Sequence, residues 1–267
     1  MAGARLVVTP PPAAAPRVGL LVSALQPSGE GERWGNGITY DPETGQTGYR
    51  TDECDPDPAD RDLEARRATV EWQPYVIGDG IVCTALAARG RDWQAQARRQ
   101  LDAVAEYQIS AELWAGTVAD DHSYPNRHLT DAAAGDVVGG AGLGSVDALA
   151  ALEGYLSSCH GGQRGMIHAP RLIVTHWVAD GLVRREGSLL LTIMDTIVVP
   201  GAGYTGATAV ATSMVEVRRG PVTVTGDPLT QAGQVDRSTN LVEVRAEQQA
   251  LASWDLSCHG VVTITGT

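Results

Sequence analysis

The stretch RDWQAQARRQLDAVAEYQISAELWA, Arg91 to Ala115, decides the reading of the fold. Its apolar positions Trp93, Ala97, Leu101, Val104, Ala105, Ile109 and Leu113 recur three or four residues apart, marking one face of a helix. Arg98, Arg99, Gln100, Asp102, Glu106 and Gln108 fall mostly off that face. At 1.5 Å per residue the segment predicts a rod of roughly 35–40 Å, longer than a mean globular helix. Gly116 stands where a C-cap is expected. A rod of this length, flanked by β-rich sequence and accompanied by no catalytic constellation, points to a protein whose task is shape.

Upstream of the rod, Ala68 to Val82 reads as strand, with Val70, Trp72, Tyr75 and Val76 on its buried side. Trp34 to Tyr40 and Gly48 to Thr51 read as two further strands, joined by turn chemistry at Asp41-Pro42-Glu43-Thr44-Gly45. The acidic run Asp52 to Pro58 does not match a calcium-loop spacing and reads as a solvated loop. Residues 1–33 carry Pro10, Pro11, Pro12, Pro16 and Pro27, which forbid a continuous helix or central strand. They read as an extended arm or, on composition alone, a disordered tail.

Downstream, residues 117–144 are loop-like and end in a glycine-rich run. Ser145 caps a helix that stops before Gly161-Gly162. Gly165 to His168 is a short strand, and Ala169 to Ala179 a helix with Pro170 in its first turn. Leu189 to Ile193 and Thr196 to Val199 are strands. Val215 to Arg218 and Val222 to Thr225 alternate around Gly220-Pro221 as a hairpin would. Leu241 to Glu247 and Val261 to Thr265 close the chain.

Composition bounds the rest. A chain of 267 residues can bury a sizeable core. Its charge of −12 argues against a dedicated nucleic-acid binder, although an acidic wall would face packed nucleic acid without adhering to it. No apolar run reaches the length of a membrane span, and the N-terminus lacks the apolar core of a signal peptide, so intracellular synthesis with reduced thiols is expected. All 20 basic residues are arginine, and phenylalanine is absent. Without lysine there is no Schiff base, no P-loop lysine and no lysine isopeptide bond. Arginine pairs with carboxylates in a planar, bidentate manner that suits subunit interfaces.

Candidate sites are few. Ser158-Cys159-His160-Gly161 recurs as Ser257-Cys258-His259-Gly260. Adjacent Cys and His diverge on regular backbone, which counts against zinc. Cys159 and Cys258 can still lie near one another or near a neighbouring subunit. His168 or His176 with Ser145 and Asp147 could compose a triad, but no nucleophile elbow is present, and His168 reads better as a satisfied strand-end histidine. Gly140 to Gly144 lacks the spacing of a dinucleotide fingerprint, and Asp120-Asp121 reads as a solvated helix exit. No catalytic residue, cofactor or metal ligand is assigned.

Taken in order, these elements resemble the major capsid proteins of tailed bacteriophages, the Hong Kong 97-type fold, and the local wording is similar to capsids of actinobacteria-infecting phages. The stretches that carry the likeness are Ala111 to Gly116, Gly165 to Pro170, Thr196 to Tyr204 and Asp236 to Asn240. The resemblance implies an α+β fold. It would comprise an N-terminal arm (1–33), an extended β-hairpin loop (34–70), a peripheral domain (71–139) with the spine helix 91–115, an axial domain (140–230), and a return to the peripheral domain (231–267).

The resemblance further implies a virion protein, assembled in the host cytoplasm, whose copies form pentamers and hexamers of an icosahedral head enclosing double-stranded DNA. Its expected partners are itself, a portal, scaffold or decoration proteins, and DNA by non-specific proximity. No membrane partner is expected. Some members weld subunits through lysine–asparagine bonds; this chain has no lysine, so non-covalent contacts or cement proteins are expected instead. Met1 is read as the absence of a long preceding scaffolding segment. Candidate intersubunit contacts are Arg33, Arg50, Arg61, Arg66 and Arg67 with Glu43, Asp52 and Glu53, near Asp55 and Asp57. The alternatives are an encapsulin-like nanocompartment shell and another virion part, from the tail or from head completion.

Overall fold

The rod forms as helix α2, Trp93–Ala115, in the structure, a computed structural model that describes residues 17–27, 32–40, 69–84, 92–131, 135–140, 142–159, 164–226, 235–236 and 241–265. Asp92 is its N-cap, accepting a hydrogen bond from the Ala95 N–H at 2.9 Å. Gly116 ends it in the left-handed conformation at φ 64°. The 23 residues give a rod of about 34 Å. Trp93, Ala97, Leu101, Ala105, Ile109 and Leu113 form one unbroken i, i+4 row of buried side chains. Val104 is only half-buried at the edge of that row.

Before α2 lie α1 (Leu20–Ser23), β1 (Ile38–Tyr40), β2 (Val70–Trp72) and β3 (Tyr75–Thr84). After it come α3 (Thr117–His122), β4 (Asp136–Val137), α4 (Ser145–Cys159), β5 (Met166–His168), α5 (Arg171–Ala179), β6 (Val183–Glu186), β7 (Leu189–Thr192) and β8 (Ile197–Val199). The chain continues through β9 (Thr208–Thr212), β10 (Glu216–Thr225), β11 (Val235–Asp236), β12 (Leu241–Ser253) and β13 (His259–Thr263).

Two sheets organise these elements. In the first, β12 pairs antiparallel with β3 along one edge and with β10 and β11 along the other. Val244, Ala246, Ala250 and Ala252 of β12 and Tyr75 and Ile77 of β3 alternate into the core beneath α2. The second sheet has seven strands in the order β4-β13-β9-β5-β8-β7-β6. Its two faces are both covered. Met166, Ile197, Val199 and Val210 belong to the core shared with α2, while Ile167, Val198, Ala209 and Ala211 meet α4 and α5 on the other face. Burial on both faces explains why β5 and β8 are apolar or buried at every position.

Several expectations are corrected. Val76 faces solvent and Ile77 takes its place inside, because the chain breaks at Gln73-Pro74 between β2 and β3. The hairpin predicted around Gly220-Pro221 is one strand, β10, with a register shift between Arg219 and Val222 where it pairs with β12. A bulge absorbs the proline that a regular ladder would reject. The stretch 117–144 is not all loop, since it holds α3 and β4. Ser145 is the first residue of α4 rather than its cap, and its buried hydroxyl has no partner among the described residues.

β10 lies in the sheet beneath α2 although it precedes residue 230, and β13 joins the seven-stranded sheet although it follows residue 240. The strands on either side of the expected axial boundary are therefore shared between the sheets. Of the expected arm, residues 17–27, 32 and 33 are described. Residues 17–27 are folded onto their own chain, with Leu20 fully buried and Leu25 bridged to β10. β1 pairs with β2, and the predicted strand over 48–51 lies outside the described residues.

Candidate subunit-interaction surface

The arm is anchored by a side chain that the helical pattern places off the apolar face. Glu106 is 5% exposed, and its carboxylate accepts hydrogen bonds from the Leu20 N–H at 2.7 Å and the Leu21 N–H at 2.8 Å. These are the unsatisfied donors at the start of α1, so a buried anion meets a helix N-terminus. Gly19, at φ 149°, lets the carboxylate in, since a Cβ there would collide with it. Leu25 then donates to the Val215 carbonyl at 2.9 Å and accepts from the Val217 N–H at 2.8 Å. Glu112, one and a half turns on, caps α3 through the Val118 and Ala119 N–H groups, each at 2.9 Å. The only hint of Glu106 in the sequence is an acid flanking the apolar row.

Near the C-terminal end of α2 the helix meets the seven-stranded sheet. Tyr204 stacks on Trp114 with ring centroids 4.5 Å apart, and the Trp114 indole donates to the Thr205 carbonyl. Gly203 N–H donates to the Ser110 hydroxyl at 2.8 Å, and a Cβ at Gly203 would strike the α2 backbone at Ala111. His168 is fully buried here, its ring nitrogens bonded to the Tyr204 hydroxyl at 2.9 Å and the Thr212 hydroxyl at 3.0 Å. Burial pushes its pKa down to about 3, with a small further push from His259, so the ring is neutral. Burial likewise pushes the Tyr204 hydroxyl up.

This network ties the seven-stranded sheet to α2. Both nitrogens of His168 are taken by Tyr204 and Thr212, so it does not serve Ser145, and His176 lies exposed on α5. Asp120 and Asp121 are exposed on α3, as expected of a solvated acidic end.

Cys159 and Cys258 are joined in a disulfide, with Cα atoms 5.8 Å apart. This replaces the expectation of reduced thiols at these two positions, and it staples the end of α4 to the strand start of β13. Among the described residues no group of three or more His, Cys, Asp or Glu could hold a metal. His160 lies outside the described residues. Leu143 in the glycine-rich run extends the sheet beside Thr263 and Thr265, so that segment is an edge connection.

Among the described residues, an exposed apolar pair sits on the β7–β8 turn. Ile193 is 67% and Met194 71% exposed. The turn beneath them is firmly held. Glu153 of α4 accepts from the Thr192 hydroxyl at 2.5 Å and the Thr196 hydroxyl at 2.8 Å. Asp195, at φ 66°, pairs with Arg184, and its carbonyl accepts from Arg164 at 2.8 Å. A groove of about 810 Å³ opens directly beside the turn, between α4 and the β6–β8 edge, lined by Gly154, Ser157, Arg164, Arg184 and Met194 among others. In the sequence Ile193 reads as the last residue of a strand, whereas β7 ends at Thr192, so the exposed pair is not legible there.

Of the candidate contact residues, Arg33 is exposed in a short 3₁₀ helix, Glu32–Asn36. Arg50, Arg61, Arg66, Arg67, Glu43, Asp52 and Glu53 lie outside the described residues. No helix of the described residues is long and apolar enough to cross a membrane.

No family model and no curated protein sequence matches the chain. Solved structures do. The chain is similar to a structure of Microbacterium phage Oxtober96 at 12% identity, covering 99% of this chain and 96% of that one, with a TM-score of 0.56. It is similar to the capsid of the native GTA particle, computed with C5 symmetry, at 10% identity, covering 100% and 96%, with a TM-score of 0.57. It is also similar to the virus-like particle from Pyrococcus furiosus at 10% identity, covering 91% and 92%, with a TM-score of 0.52. At these identities the likeness concerns the fold. Over nearly its whole length, the chain has the fold of bacteriophage capsid structures.

Proposed function

We propose that this chain is the major shell protein of a phage head, a virion component whose copies assemble into pentamers and hexamers around double-stranded DNA. The fold likeness to capsid structures along almost the entire chain carries this reading. The rod-stiffened body, tied to the arm at Glu106 and to the Gly203 loop at Ser110 in the C-terminal half of α2, suits a tile that must keep its outline under load. Residues 1–33 then play the part of the arm and 34–70 that of the extended loop, α2 with the sheet of β3, β10, β11 and β12 that of the peripheral domain, and the seven-stranded sheet with α4 and α5 that of the axial domain. Arg33, Arg50, Arg61, Arg66 and Arg67 would pair with Glu43, Asp52 and Glu53 of neighbours, and an acidic wall would enclose DNA without binding it tightly. Portal, scaffold and decoration proteins are its further partners, and host cytoplasm its place of assembly.

A second reading, an encapsulin-like compartment, is favoured by the likeness to the Pyrococcus virus-like particle. Both are shells and neither needs catalysis by this chain. Negative-stain microscopy and sedimentation of the purified full chain test the shell reading. Closed particles are expected, and a stable monomer at all concentrations overturns it. Nucleic-acid absorbance in particles from infected cells separates a genome-filled head from a protein-filled compartment.

A further inference from the structure

We propose that the Cys159–Cys258 bond is a late staple, closed on the already folded chain by exchange with a small-molecule disulfide that enters at Cys159. That closure hardens a shell rests on the shell reading; the thiol chemistry belongs to the chain alone and is tested separately.

Both sulfurs are placed by contacts that do not need the bond. Cys159 ends α4, whose Leu149, Leu152 and Leu156 are buried in one cluster with Val262, Ile264 and Cys258 itself. The Tyr155 hydroxyl, about one turn before Cys159, accepts from the N–H of His259, the residue after Cys258, at 3.1 Å and donates to Asp136 at 2.8 Å. Gly260 leaves room for the Tyr155 ring, which a Cβ there would strike at 2.6 Å. Directly after Cys258, β13 is paired on both sides, with β9 and with β4. The Cα atoms so held are 5.8 Å apart, within the span of a disulfide. Two thiols fixed in this way meet at an effective concentration far above that of a small thiol in solution.

The two positions differ in access. Cys258 is fully buried, whereas Cys159 is half-buried at the end of α4, beside the exposed Ser157 and Ser158. Exchange needs an accessible thiolate. The Cys159 thiolate therefore attacks one sulfur of a small disulfide such as oxidised glutathione, forming a mixed disulfide and releasing one glutathione thiolate. Cys258 then gives up its proton and attacks the Cys159 sulfur, forming the internal bond and releasing the second thiolate. Two protein thiols are oxidised, one small disulfide is reduced, and the two protons end on the two glutathione thiols. The reducing interior of a host cell, the proposed place of assembly, holds the pair open, and the oxidising surroundings of a released particle close it. The bond then joins α4 to the seven-stranded sheet across a sequence separation of 99, tightening each subunit after its neighbours are in place.

The test uses the full-length chain. Acid-quenched alkylation of chain taken directly from bacterial cytoplasm, with peptide mass mapping, is expected to label both Cys159 and Cys258, and chain held in oxidised glutathione is expected to label neither. Finding the bond already closed in the cytoplasm overturns late closure. The reduced chain is expected to unfold in a single cooperative transition with a lowered midpoint. Loss of that transition would make the bond a requirement for folding and overturns the proposal. With oxidised glutathione, Cys258→Ser is expected to form its mixed disulfide at Cys159 about tenfold or more faster than Cys159→Ser forms one at Cys258. Equal rates overturn entry at Cys159. Should a serine variant fail to fold, alkylation rates of the two thiols in the reduced wild type give the same comparison. If the wild type forms no particles, the shell reading falls, while these thiol measurements still decide the staple.

Discussion

Replacing Glu106 by alanine removes an anion that holds two backbone N–H groups at the start of α1. The bonds measure 2.7 and 2.8 Å and the carboxylate is 5% exposed. A hydrogen bond to a charged group contributes roughly 1.5–3 kcal/mol, and leaving its buried partner unsatisfied costs a similar amount. The full penalty is not expected, because residues 17–27 can undock and give their N–H groups to water. Undocking forfeits the burial of Leu20, worth about 2 kcal/mol, and the two backbone bonds at Leu25, worth about 1 kcal/mol each. It regains the conformational freedom of the segment. The net loss expected is about 3 kcal/mol, confined to the arm. Native-state hydrogen exchange at Leu20, Leu21 and Leu25 reads it as a drop in protection of about 100-fold, with β12 amides little changed. Glu106→Gln should retain roughly half, since its amide oxygen can accept one bond while its NH₂ faces the other donor. Unchanged protection of the arm in Glu106→Ala would refute the reasoning.

Reduction of the Cys159–Cys258 disulfide, which spans a sequence separation of 99, is expected to lower stability by about 2–5 kcal/mol; a calorimetric midpoint indifferent to reductant would contradict the staple. His168 has a folded pKa of about 3 against 6.5 when unfolded, so the unfolded chain binds the extra proton between those values. Stability from this group is therefore complete above 6.5 and lost as pH falls towards 3, at up to about 1.4 kcal/mol per pH unit. Urea midpoints measured from pH 7 to 3.5 should fall less steeply in His168→Gln than in the wild type. Gly203→Ala drives a Cβ into the α2 backbone at Ala111, and a destabilisation of about 1–3 kcal/mol is expected in urea unfolding.

The elements most visible in the sequence are those whose cause is local. The i, i+4 row from Trp93 to Leu113 and the glycine after it specify α2. Pro170 marks the start of α5, and the apolar runs after Ser188, leucines in one and β-branched residues in the other, mark β7 and β8. Local chemistry misleads where two structures share it. Gly220-Pro221 suits a hairpin turn and a bulge equally well, and the choice fell to β12, whose 13 residues offer a continuous partner to both halves of β10. The candidate interaction surface was the least visible part. The turn of Ile193 and Met194 reads as the end of a strand until the bracing from α4 and β6 is known.

By itself the sequence determined the spine helix, most strands of the two sheets, the want of lysine chemistry, and the likeness of order that suggested a shell. Only the tertiary structure decided that Glu106 is an anchor, that the arm from Arg17 to Pro27 returns to its own chain, that Cys159 meets Cys258, and that an exposed apolar turn adjoins an empty groove. The physical reason is range. Periodicity and capping act within a few residues, whereas a buried carboxylate, a disulfide and a groove each join segments that lie tens of residues apart, whose meeting depends on how the whole chain packs.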